Sequence, residues 1–128
     1  MAQLRYATLV PLGQLNVVGG TPLALSTNCG ALGGQTAKPN TLTSTSGTPF
    51  RQLILTNSAA AGGGNLYLLP RGNSFAGNPG TVIACIPPGA TQPIPYGQPF
   101  EGGILPENFV LDSDAGKSPV AYGCGVLS

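Results

Sequence analysis

The stretch Asp112-Ser113-Asp114-Ala115-Gly116 carries the residue types that come nearest to chemistry in this chain, two carboxylates flanking a hydroxyl. It superficially resembles an Asp-Thr/Ser-Gly loop, which presents a carboxylate for general acid–base hydrolysis. Here no glycine follows Ser113, and Asp114-Ala115-Gly116 has the composition of a tight turn. For calcium the two aspartates are too few, because a recognisable site collects roughly six to eight oxygens at fixed spacing. Gly62-Gly63-Gly64 lacks the Lys-Ser/Thr that completes a phosphate loop, so it reads as a flexible connection. The chain contains no histidine, which excludes His-dependent triads, Cys–His pairs and the commonest zinc sites.

The cysteines are three, Cys29, Cys85 and Cys124. An odd count with no secretory leader argues against a secreted disulfide framework. Cys85 and Cys124 fall in strand-like runs and are expected as small buried hydrophobes. A disulfide between them would require the two strands to be neighbours. No catalytic, cofactor-binding or metal-binding residue emerges, and the expectation is a protein that is not an enzyme.

Charge narrows the partners. Charged residues make up 7% of the chain against roughly 25% in an average soluble domain. Arg5, Lys38, Arg51, Arg71 and Lys117 are scattered and nearly balanced by Glu101, Glu107, Asp112 and Asp114, for a net charge of +1. No basic patch is visible that would neutralise several phosphates, so direct nucleic-acid binding is disfavoured. No apolar run is long enough to span a bilayer, and residues 1–11 do not form a secretory signal, so a soluble protein made in the cytoplasm is expected. Surfaces of near-zero net charge tend to associate, and interface cores are depleted in charge. Such a surface is either a neutral one covered by Ser, Thr, Asn and Gln or, the reading favoured here, one that lies largely against other protein in an assembly.

What would position these residues is a set of strands. The chain is organised around two apolar runs, Arg51-Gln52-Leu53-Ile54-Leu55-Thr56-Asn57 and Asn65-Leu66-Tyr67-Leu68-Leu69, read as a central hairpin joined by residues 58–64. Before them, residues 4–10 alternate as a strand ending near Pro11, residues 15–18 form a short one closed by Gly19-Gly20, and residues 21–27 a third. After them, Thr81-Val82-Ile83-Ala84-Cys85-Ile86 is apolar on both faces and is expected to be central. Pro87-Pro88-Gly89 matches a type II turn, and the prolines of residues 91–100 confine any strand there to an edge. Residues 108–112 and 119–127 supply the last two strands, the final one with Val120, Tyr122, Cys124 and Val126 on one face and Ala121, Gly123 and Gly125 on the other.

With 20 glycines and 13 prolines and no sustained helical period, the fold class is all-β. Residues 1–128 form a single antiparallel β-sandwich domain, of which a jelly roll is one version. Residues 26–48 are polar and glycine-rich, a long surface loop or an extended arm that lends backbone hydrogen bonds to a neighbour's sheet edge.

The order Leu53-Ile54-Leu55-Thr56-Asn57, Asn65-Leu66-Tyr67-Leu68, Ile86-Pro87-Pro88-Gly89-Ala90-Thr91, Asn108-Phe109-Val110-Leu111, Asp114-Ala115-Gly116 and Val120-Ala121-Tyr122 resembles small β-sandwich structural proteins of tailed-bacteriophage virions. In those proteins a strand ending in Asn leads to a Leu-Tyr-Leu-like strand, a Pro-Pro-Gly turn, and a final hairpin closed by a short Asp-Ala-Gly link. The resemblance covers about 75 residues from Phe50 onward and leaves the first 48 uncovered. It implies a virion component made in the host cytoplasm, a capsid decoration (cement) or minor capsid protein. Such a protein forms a homo-oligomer, with a trimer favoured, and binds the major capsid protein or other virion proteins; a tail or baseplate accessory protein fits the same pattern. Residues 1–10 and 26–48 would be the contact elements. The other class of reading is a carbohydrate- or receptor-binding module in which Phe75, Tyr96 and Phe100 stack on a ligand, a thin platform in a chain with no tryptophan and four tyrosines.

Overall fold

The computed structural model describes residues 8–24, 50–94, 104 and 108–127. Eight strands fill them: β1 (Thr8–Asn16), β2 (Leu23–Ala24), β3 (Gln52–Asn57), β4 (Leu66–Pro70), β5 (Ala84–Ile86), β6 (Thr91–Ile94), β7 (Phe109–Ser113) and β8 (Val120–Leu127). They make two antiparallel four-stranded sheets, a front sheet ordered β1-β8-β3-β6 and a back sheet ordered β2-β7-β4-β5. This is an all-β sandwich, and no α-helix occurs among the described residues.

Alternation builds the interior. Along β3, Leu53, Leu55 and Asn57 are fully buried while Gln52, Ile54 and Thr56 face outward, the period of two that a half-covered strand requires. Leu66 and Leu68 of β4, Ile86 of β5 and Leu111 of β7 meet them from the back sheet, with Leu15, Phe50, Ile94, Ile104 and Ala121 completing the core. Each fully buried side chain of this size contributes about 1.5–3 kcal/mol relative to an exposed one. On β8 the inward face is the one with the small residues, Ala121, Gly123 and Gly125, and Tyr122 points out. The Phe50 ring takes the space those residues leave; a Cβ at Gly125 would overlap it.

Several strand partners differ from expectation. Residues 52–69 are not a hairpin, because β3 pairs with β6 and β8 while β4 pairs with β5 and β7 in the opposite sheet. Residues 58–64 therefore form an arch across the layers. The Asp114-Ala115-Gly116 link likewise carries the chain from β7 in the back sheet to β8 in the front one, so no final hairpin exists. The apolar run 81–86 is an edge strand of three residues preceded by a 3-10 turn at Pro79–Thr81. Its double apolarity has another cause: Val82 packs on the outer side of the back sheet, and Ile83 is 45% exposed. Strand β1 does not stop at Pro11 but continues to Asn16, with a register shift between Pro11 and Gly13. An edge strand and a local irregularity are where a residue lacking N–H is tolerated.

Other expectations hold. The Ala90 N–H donates to the Pro87 carbonyl at 3.1 Å with Gly89 at φ 80°, a type II turn. Strand β6, with Pro93, is an edge. The proposed arm, residues 26–48, lies outside the described residues.

Candidate contact surface and the polar clusters behind it

Asn57 ends β3 on its inward side and is fully buried. Its Nδ2 donates to the carbonyls of Gly64 (3.0 Å) and Ile86 (2.9 Å), and its Oδ1 accepts from the Ala59 N–H at 3.1 Å. Its backbone N–H donates to the Ala90 carbonyl and its carbonyl accepts from the Gly89 N–H, at 3.0 and 2.8 Å. One residue thus ties together the arch, the end of β5 and the type II turn. A polar residue continuing the Leu53, Leu55 parity is the signal that sequence reading passed over.

Asp112, also fully buried, performs the same task on the back sheet. Its Oδ1 accepts from the backbone N–H groups of Gly20 (3.0 Å) and Ser113 (2.8 Å), and its Oδ2 from that of Phe75 (2.8 Å). Asp114 accepts from the Tyr67 hydroxyl at 2.7 Å and the Asn65 N–H at 3.0 Å, while Ser113 donates to the Asn65 carbonyl at 2.6 Å. The Asn65 N–H, the Tyr67 hydroxyl and the nearby Lys117 charge hold the Asp114 carboxyl below its ordinary range. Desolvation, with a further push from Asp114, raises Tyr67. Both aspartates thus accept hydrogen bonds from N–H and O–H groups of the scaffold. Among the described residues no group of three His, Cys, Asp or Glu side chains could hold a metal ion.

Beside Asp114 a shallow cleft of about 230 Å³ is lined by Gly62, Gly64, Asn65, Pro88, Asp114 and Lys117. It contains no aromatic ring, and its carboxylate is already engaged.

The two sheets differ on their outer faces. Loop residues after β4 fold back over the back sheet, where Phe75 stacks on Tyr67 at a centroid distance of 3.8 Å and Val82 joins Leu69 and Val110 in a second, smaller core. Phe75 thus packs one ring face against Tyr67 and is only partly buried; Tyr96 and Phe100 lie outside the described residues. Cys85 is exposed, contrary to the expected burial, and Cys124 is half-buried. They lie in different sheets and are not disulfide-bonded. Cys29 lies outside the described residues.

The front sheet carries no such cover among the described residues. Gln14 and Asn16 of β1, Ile54 and Thr56 of β3, Thr91 and Pro93 of β6, and Val120, Tyr122 and Cys124 of β8 face outward. Tyr122 is 47% exposed near the middle of the sheet. Thr56 and Thr91 share a hydroxyl–hydroxyl hydrogen bond of 2.8 Å, and Gln14 donates to Asn16 at 2.9 Å. Not one of the residues in β1, β3, β6 and β8 is charged. Of the contact elements expected from sequence, residues 8–10 belong to β1 at the edge of this sheet, and 1–7 and 26–48 lie outside the described residues. Comparison with protein-family models, with curated proteins and with solved structures finds no match for this chain.

Proposed function

We propose that this chain is a non-enzymatic structural protein of a virion, a capsid decoration or minor capsid protein that works by contact with a shell of repeated subunits. The observation that carries the reading is the charge-free front sheet, whose outer face no second core cluster of the described residues covers. A water-facing sheet normally alternates apolar and charged or strongly polar residues. A sheet of Gln, Thr, Val, Ile and Tyr has the charge-depleted character of an interface core. The engagement of Asp112 and Asp114 in scaffold hydrogen bonds supports the same reading, since it commits the chain's nearest approach to chemistry to holding the sandwich together. The internal stacking of Phe75 weighs against the carbohydrate-binding alternative.

The test follows an epitope-tagged full-length chain through density-gradient purification of particles from the strain that carries its gene. Co-banding with the particles in many copies is expected. Recovery of the whole tagged pool in particle-free fractions would overturn the reading.

A further inference from the structure

We infer that residues 73–81, in the loop between β4 and β5, form a clasp that opens and closes over the outer face of the back sheet while the sandwich stays folded, with Phe75 as its latch. The inference does not depend on the reading of the chain as a virion component.

The composition of the clasp lets it hold its own shape. Asn73, Ser74, Asn78 and Thr81 are short polar residues of the kind that bond to nearby backbone. The Asn73 Nδ2 donates to the carbonyls of Pro70 (3.0 Å) and Arg71 (3.3 Å), and the Thr81 hydroxyl donates to that of Asn78 (2.7 Å). The Ser74 hydroxyl accepts from the Gly77 N–H at 3.0 Å, and the Ser74 carbonyl from the Asn78 N–H at 2.8 Å. The 3-10 turn at Pro79–Thr81 closes the run. The chain then rejoins the sheet at once, the Ile83 N–H donating to the Leu68 carbonyl at 2.7 Å. A loop that leaves β4 at Pro70 and returns beside Leu68 has the close ends of an Ω-loop.

Phe75 holds this unit down. Among the described residues it is the one member of 73–81 that hydrogen-bonds outside residues 70–82, its N–H donating to Asp112 Oδ2 at 2.8 Å. It is also the one side chain of the run packed into the second core, its ring lying on Tyr67 with the planes 10° apart. Residues 76–81 are exposed. Opening therefore breaks one stack and one hydrogen bond. The groups released are the Phe75 N–H and one Asp112 oxygen, and both meet water as the clasp lifts. Asp112 Oδ1 keeps the Gly20 and Ser113 N–H donors, so the carboxylate stays anchored to the body. An element with so few ties opens at a lower free energy than the strands beneath it. Closed, the clasp keeps the Tyr67 ring buried; open, it presents the facing rings of Tyr67 and Phe75 as an apolar patch on the back sheet.

The experiment is amide hydrogen exchange of the full chain, read residue by residue by NMR at several urea concentrations below the unfolding transition, for the wild type and Phe75→Ala. After correction for intrinsic rates, the Phe75 amide is expected to exchange roughly tenfold or more faster than the slowest ladder amides of β4 and β7, with a shallower urea dependence. Phe75→Ala keeps the N–H but removes the stack, and it should speed the residue-75 amide by a further factor of about ten relative to those ladder amides. A Phe75 amide that exchanges with the ladder, at the same rate and urea slope, would overturn the clasp. An unchanged relative rate in Phe75→Ala would overturn the latch. Loss of the native spectrum in that variant would show that the ring supports the sandwich itself, which also overturns the inference.

Discussion

The Phe50 ring packs directly on the backbone of Gly125: a Cβ added to Gly125 would clash with the ring's Cδ1–Cε1 edge. Phe50 is fully buried and is tied to Ile104 by reciprocal backbone hydrogen bonds, its N–H donating at 2.9 Å and its carbonyl accepting at 2.6 Å. The ring therefore has little room to retreat. Gly125→Ala is expected to cost about 1–3 kcal/mol by overpacking, measured by urea unfolding. Combining it with Phe50→Leu, which vacates volume at the contact, should cost less than the sum of the two single changes. Strict additivity would show that the contact does not limit the core.

Asn57 is the second sensitive point. Asn57→Ala removes the donors that serve the Gly64 and Ile86 carbonyls and is expected to destabilise the chain by about 2–4 kcal/mol. Asn57→Asp keeps the shape but aims a carboxylate oxygen at those two carbonyls, so it should be worse than Ala at neutral pH and recover partly in acid, when a protonated carboxyl can donate once. Chemical denaturation at two pH values reads both effects.

Acid acts through Asp114. Its folded-state pKa is lowered by the Asn65 N–H, then by the Tyr67 hydroxyl and the Lys117 charge, so the stability it contributes is present above the ordinary carboxylate pKa of 3.8 and is lost as pH falls through the lower folded value. Thermal melts of the wild type should therefore hold steady down to about pH 4 and decline below it. Asp114→Asn should flatten that decline, by a modest amount because the site is solvated and screened. Tyr67 has the opposite sign. Its pKa is raised, so its contribution is complete below pH 10.0 and lost as pH rises through the folded value, a loss that Tyr67→Phe should abolish.

The cysteines predict a chemical pattern. Cys85 is exposed on an edge strand, so it should react with an alkylating reagent in the native state. Desolvation and the Asp114 charge raise its thiol pKa, so the rate should climb steeply with pH in the alkaline range. Cys124, half-buried on β8, should react more slowly, and both should be recovered as alkylated peptides without prior reduction. A native disulfide-linked pair of peptides in the mass spectrum would contradict the placement of these residues in separate sheets.

Gly89 tests the arch-end turn from the other direction. At φ 80° a Cβ there meets no atom within 4 Å, so Gly89→Ala is expected to cost about 1 kcal/mol from backbone conformation alone, with native packing retained. A larger loss in urea unfolding would mean that the turn's hydrogen bonds to Asn57 fail with it.

By itself the sequence determined the local features of this protein. The alternation of Leu53 and Leu55 with Ile54 and Thr56 was readable as a half-covered strand, Pro88-Gly89 as a type II turn and Pro93 as the mark of an edge. These follow from φ restrictions and side-chain period, which act within a few residues. The same alternation on β8 named two faces without saying which was inward, and Val120, Tyr122 and Cys124 turned out to face outward while Phe50, 75 residues earlier, fills the space over Gly125. Only the tertiary structure decided which strands pair. Every backbone offers the same donors and acceptors to a ladder, so nothing in the 52–69 stretch distinguished a hairpin from an arch between sheets. What settles it is collective: Leu53 and Leu55 from one layer and Leu66 and Leu68 from the other are buried together only when the chain crosses, and Asn57 satisfies the carbonyls of that crossing. The charge-free front sheet arises in the same way. The absence of charge was written in the four strands, but their gathering into one surface was set by long-range pairing.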